Sequence, residues 1–158
     1  MKHSHLPRVL RRLIGLMRFT REAVGATAAS VFLLDVERCS MRGLVSEWDW
    51  TRTSFPSSLA DWPNVALALA DGDVRAISAA DARGGETGWF EERGIATTLC
   101  VPLRNGMTAY GVLFFDFAVP PAPLGRVERA LLHDVARRCA RALARARAVV
   151  PAEERLLH

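Results

Sequence analysis

Between Leu6 and Val24 apolar residues fall at Leu6, Leu10, Leu13, Met17 and Val24, with Val9 and Ile14 alongside, and the polar positions are mostly arginine. That spacing predicts an amphipathic helix over 6–24, ended by Gly25. Ala28–Asp35 (AASVFLLD) is short, apolar and rich in β-branched and aromatic residues, which predicts a buried strand. A turn at 35–38 leads to a second strand over Ser40–Trp48, and residues 49–62, with Pro56, Ser57 and Ser58, read as irregular. Pro63–Ala70 predicts a short helix opened by proline and stopped by Gly72. A strand over Val74–Ser78, a loop over 79–85 and a helix over Glu86–Arg93, stopped by Gly94, come next.

Residues 97–117 read TTLCVPLRNGMTAYGVLFFDF, two apolar runs about Arg104-Asn105-Gly106-Met107. Asn-Gly between such runs predicts a hairpin closed by a type I′ turn, with positive φ at both central residues. Period-two alternation puts Tyr110, Val112, Phe114 and Asp116 on one face and Gly111, Leu113, Phe115 and Phe117 on the other. Pro120, Pro121 and Pro123 cannot continue the ladder. A long helix then runs to about Val149. Val127, Leu131, Val135, Cys139, Ala142, Ala146 and Val149 form one apolar stripe, widened by Leu132, Ala136, Ala140 and Leu143. Two stripes suit a helix that packs on its own sheet and on a partner helix. The whole order predicts an α+β fold: a central antiparallel sheet of about six strands, the terminal helices on one face, and short helices and loops over the other.

Composition adds bounds. A chain of 158 residues suits one domain with a real core. Its formal charge of +4 is unevenly spread. Residues 1–24 hold six basic side chains against one acid, 124–158 eight arginines against four acids, and 25–123 seven arginines against twelve acids. Basic terminal helices raise nucleic acid or an acidic protein as partners; solvated faces of amphipathic helices account for the same arginines, and nucleic acid is disfavoured. No apolar run approaches the roughly 20 residues that span a bilayer. The N-terminus lacks the uninterrupted apolar core and cleavage site of a signal peptide. Cys39, Cys100 and Cys139 are odd in number and far apart, so they read as reduced thiols of a cytoplasmic protein.

Catalytic chemistry finds little support in the residues. There is no phosphate-cradling loop, no G-x-S-x-G elbow and no His cluster with metal-ligand spacing. His133 is a lone histidine beside Asp134, and His3 and His5 match no metal motif. Cys100 lacks an adjacent base to lower its pKa. The expectation is a non-enzymatic protein with no metal site.

Four segments together resemble the GAF domain over residues 5–149, with 150–158 a C-terminal tail. They are Ala29–Asp35 for the first strand, Ala68–Gly72, Gly94-Ile95-Ala96-Thr97-Thr98-Leu99-Cys100-Val101-Pro102-Leu103, and Tyr110-Gly111-Val112-Leu113. Glu47-Trp48 and Gly111–Asp116 look most like GAF modules of bacterial sensor histidine kinases and related regulators. The resemblance implies a GAF-like, PAS-related sheet whose cavity face carries Phe32, Leu34, Thr98, Cys100, Phe114 and Asp116. Trp48, Trp50, Trp62, Trp89 and Phe90 would border or cap that cavity. Phe55–Pro63 is similar to the phytochrome segment ending Asp-Ile-Pro, with residues inserted, which makes Asp61 a candidate polar group beside a ligand.

Family ligands do not carry over. The bilin-attaching Cys-His pair, the cyclic-nucleotide signature of the phosphodiesterase class and the clustered cysteines of the free methionine sulfoxide reductases are all absent. The ligand and any cofactor therefore stay unknown. The resemblance implies a sensory module that binds a small molecule and signals through its terminal helices, as a homodimer through 6–24 and 124–149, to a signalling protein in trans. The alternative is a ligand-free dimerisation or scaffold module in which the aromatics simply fill the space.

Overall fold

The N-terminal periodicity is realised as helix α1 (His5–Val24), whose Leu13 and Met17 are fully buried while Arg8, Arg11, Arg12 and Arg18 face out. The computed structural model describes residues 5–48 and 57–149. The C-terminal tail, Trp50, Phe55, Pro56 and His3 lie outside the described residues. After α1 come β1 (Ala28–Asp35), β2 (Ser40–Ser46), β3 (Ser57–Ser58), a 3₁₀ turn (Leu59–Asp61), α2 (Pro63–Asp71), β4 (Arg75–Ser78), α3 (Gly85–Arg93), β5 (Thr97–Asn105), β6 (Thr108–Phe117) and α4 (Arg126–Val149). The six strands form one sheet in the order β3-β2-β1-β6-β5-β4, with every neighbour antiparallel.

The sheet divides the core into two layers. On one side Val31, Val101, Leu113 and Phe115 pack beneath Leu13 and Met17 of α1 and Leu132, Val135 and Cys139 of α4. On the other, Phe32, Cys100, Val112 and Phe114 pack beneath Trp62, Val65 and Ala68 at α2 and Trp89 and Phe90 of α3. Each layer follows from strand alternation, since neighbouring residues of one strand point to opposite faces. The partner helix implied by the two stripes of α4 is α1 of the same chain, because Val135, Cys139, Ala142, Ala136 and Leu143 are all buried in the layer that α1 shares.

The structure corrects the sequence reading in four places. β2 ends at Ser46, so Trp48 lies just past the strand. Residues 57–61, read as irregular, form the short edge strand and the 3₁₀ turn. The hairpin turn is not the expected type I′: its central residues are Gly106 and Met107, since Asn105 pairs with Thr108, and φ is positive (+61°) at Gly106 alone. Positive φ at the first central residue only is the type II′ pattern, which glycine there permits.

The fourth concerns Tyr110. The β5–β6 register steps from Leu103↔Gly111 to Arg104↔Ala109, so Tyr110 is an extra, bulged residue. It packs with the α1/α4 layer, not with Val112 and Phe114 as alternation predicts. A bulge places two successive residues on the same face, and period-two counting is off by one beyond it.

Candidate functional site

Thr98 and Asp116 sit opposite each other on the central strands β5 and β6, on the face covered by α2 and α3. Both are buried, and Asp116 has no solvent exposure. The Thr98 hydroxyl donates to Asp116 Oδ1 at 2.6 Å, and the indole Nε1 of Trp48 donates to Asp116 Oδ2 at 2.7 Å. Burial pushes the Asp116 carboxyl up from 3.8 to about 6, because a charge loses its hydration there. The Thr98 and Trp48 hydrogen bonds, the Arg93 charge and the Trp89 indole each pull it part of the way back.

Four rings pack together on the same face of the sheet. Phe32 from β1, Phe114 from β6, Trp62 at the start of α2 and Trp89 of α3 are in mutual contact, with every centroid separation between 5.5 and 6.5 Å. Phe32 meets Trp89 and Phe114 edge-on, the arrangement that ring quadrupoles favour. The Arg93 guanidinium lies over the Trp89 ring, 3.7 Å from its centroid, a cation–π contact. The i, i+4 spacing of Trp89 and Arg93 puts both on one face of α3.

Glu86 holds the two helices in place over the rings. Its buried carboxylate accepts from the backbone amides of Asn64 (2.9 Å) and Val65 (3.2 Å), from Asn64 Nδ2 (2.9 Å) and from the Arg83 amide (3.1 Å). Trp62, the N-cap of α2, offers no side-chain cap. Glu86 of α3 therefore satisfies the first free amides of α2 from across the layer.

Of the residues expected to line a site, Phe32, Leu34, Trp62, Phe90, Cys100 and Phe114 share one buried cluster, with Trp48 packed against it. Thr98 and Asp116 are joined directly, and Trp48 joins them. Asp61 is not brought in: it is exposed in the 3₁₀ turn. Sequence reasoning did not assign Arg93 or Glu86 to the site. The Trp89/Arg93 spacing was the available clue to the first; the second reaches a helix more than twenty residues away in sequence.

Cys100 is buried among these groups, and burial, reinforced by Glu86, raises its thiol well above the ordinary range. Among the described residues there is no group of three or more His, Cys, Asp or Glu placed to hold a metal ion, and no helix is long and apolar enough to cross a membrane.

Against known proteins, the GAF domain family model matches residues 9–143. No curated protein matches the chain by sequence. Among solved structures, the GAF domain of an Acinetobacter phosphoenolpyruvate-protein phosphotransferase is similar with a TM-score of 0.68 at 16% identity, covering 96% of this chain and 98% of that one. The GAF domain of a two-component sensor histidine kinase from Bacillus halodurans gives 0.71 at 14% identity, covering 90% and 96%. The blue-light-absorbing form of the PixJ GAF domain of Thermosynechococcus elongatus gives 0.71 at 15% identity, covering 93% and 91%.

Proposed function

The chain belongs to the GAF domain family, and from that premise we propose that it is a regulatory signalling module that binds a small planar molecule between the sheet and helices α2 and α3. The observation that carries this reading is Asp116: a fully buried carboxylate on the aromatic face of the sheet, with a neutral donor, Thr98 or Trp48, on each of its two oxygens. Burying a carboxylate costs several kcal/mol unless its bonds repay it, and a purely structural layer has no need of one. A mostly apolar site with a few fixed polar groups is what small-molecule recognition uses. Similar folds in a sensor histidine kinase and a blue-light-absorbing PixJ domain support a signalling role.

The role is regulatory, not catalytic. The thiol within the cluster, Cys100, is held protonated by burial, and a thiol must ionise to act as nucleophile. Output passes through α1 and α4 to a protein partner in trans. Homodimerisation through 6–24 and 124–149 is part of the proposal. Exposed Phe19 and Val127 are apolar contacts these helices still offer a second copy. The surrounding arginines would make such a dimer tighten with added salt, which sedimentation at two ionic strengths measures.

The test of ligand binding is native mass spectrometry of the purified protein for retained small molecules, followed by a thermal-shift screen. A ligand at a hundred times its Kd stabilises by about 2.7 kcal/mol, which for this size of domain is a rise of roughly 5–10 °C. The rise should vanish in Asp116→Asn. A second reading, the ligand-free scaffold, is favoured by the mutual contact of the four rings; a screen with no shift would select it.

A further inference from the structure

Glu47 and Trp48 are neighbours whose side chains reach opposite parts of the molecule. Trp48 Nε1 bonds Asp116 in the site, at 2.7 Å. Glu47 takes the Ala29 amide on Oε1 at 3.0 Å and forms an ion pair through Oε2 with Arg21, in the last turn of α1. The same short stretch is pinned again by the backbone, since Glu47 N donates to Ala29 O at 3.0 Å and the Trp48 amide to Ser46 Oγ at 3.1 Å. Two adjacent residues therefore tie the buried carboxylate on one face of the sheet to the helix on the other.

The donors to Asp116 are not equivalent: the Trp89 indole is buried in α3. Thr98 is a fully buried residue of a central strand, paired on both sides. Trp48 is half-buried and lies beyond the end of β2. It is the donor that can leave. What it gives the carboxylate is a planar, apolar ring carrying one N–H. We propose that the Trp48 indole is a resident stand-in for the ligand: the site takes a planar heteroaromatic bearing an N–H donor, which replaces the indole on Asp116, and the departure of Trp48 is passed through Glu47 to Arg21 and the end of α1. This rests on the small-molecule reading above and adds the ligand's chemical class and the route of its signal.

The class follows from the partner atoms. An acceptor oxygen in an apolar layer rewards a donor and penalises a ligand that leaves it unpaired. A buried carboxylate repels an anion and accepts a neutral or cationic ring. The route follows from the covalent bond between residues 47 and 48: Trp48 cannot move far while Glu47 keeps both its amide and its arginine.

Indole is the probe. In the wild type it must displace a tethered indole whose effective concentration is on the order of millimolar, so it binds weakly. Calorimetric titration of Trp48→Ala with indole should give at least tenfold tighter binding than the wild type. N-methylindole, which has nearly the same shape and no donor, should bind at least tenfold more weakly than indole, and Asp116→Asn in the same background should abolish the difference. Hydrogen exchange over residues 21–29 should rise several-fold in Trp48→Ala and in wild type at millimolar indole. Glu47→Gln should raise it equally and, because Trp48 then leaves more easily, should tighten indole binding. If Trp48→Ala does not fold, Trp48→Phe keeps the ring, loses the N–H and carries both measurements. Equal binding of indole and N-methylindole, or indole binding with unchanged exchange over 21–29, overturns the proposal while leaving the small-molecule reading intact. A compound screen that shifts neither the wild type nor Trp48→Phe overturns that reading itself.

Discussion

Gly111 lies so close to Phe32 that no side chain fits between them: a Cβ on Gly111 would sit 1.9 Å from the Phe32 carbonyl oxygen. Strand β1 pairs with β6 here, next to the bulge at Tyr110. Gly111→Ala would force the two central strands apart and carry the Phe32 ring with them. Overpacking of this kind costs about 1–3 kcal/mol when side chains can yield; here the obstacle is backbone, so the upper end or beyond is expected. Urea denaturation of Gly111→Ala measures it, and a change below about 1 kcal/mol would contradict the close approach.

Glu86 predicts a second large effect. Glu86→Ala leaves the amides of Asn64 and Val65 without an acceptor under a buried layer. Orphaned buried donors cost about 1–3 kcal/mol each, so a loss of roughly 3 kcal/mol is expected. Glu86→Gln keeps an acceptor oxygen and should lose less than half as much. Equal losses would mean that the charge, not the capping geometry, holds α2 on α3.

Which parts of this could be read from the chain follows from the range of the interactions. Strand and helix order was legible because periods of 2 and 3.6 are local properties, and the apolar faces of 28–35 and 108–117 sort correctly into the two layers except at the bulged Tyr110. The membership of Phe32, Cys100 and Phe114 in one cluster follows from the same alternation. The bond from Trp48 to Asp116 joins residues 68 positions apart, and the bond from Asn64 to Glu86 spans 22. No local pattern encodes either, because each depends on how a loop or helix lies across the sheet. Asp61 stands apart from the cluster, exposed in the 3₁₀ turn; its expected place rested on a likeness to another segment rather than on a local period.

The three cysteines make a clean prediction about reactivity. Cys39 is exposed, whereas Cys100 and Cys139 are buried. Burial pushes the Cys139 thiol up to about 12 and the Cys100 thiol higher still. Only a thiolate attacks a disulfide reagent. At pH 8 the native protein should therefore release one fast equivalent from an aromatic disulfide, with the other two released only in denaturant. Loss of the fast phase in Cys39→Ser identifies the site; a second fast equivalent would mean that one of the core layers opens readily.

Asp116 makes stability depend on pH in a direction opposite to that of an ordinary salt-bridged carboxylate. Its folded pKa, about 6, lies above the ordinary 3.8, so the native state holds the proton more tightly than the unfolded chain. The contribution is complete below about pH 3.8, where both states are protonated, and is lost as pH rises through about 6. At 1.36 kcal/mol per pKa unit this amounts to up to roughly 3 kcal/mol. Other carboxylates titrate in the same range, but they cancel when wild type is compared with Asp116→Asn at each pH. The stability of the wild type relative to that variant should fall by up to roughly 3 kcal/mol between pH 4 and pH 7, with most of the change between pH 4 and 6. Urea midpoints of both proteins across that range give the difference directly. A difference independent of pH would mean that the Thr98 and Trp48 bonds fully offset the lost hydration, and the carboxylate would then be ionised across the range as firmly as one in water.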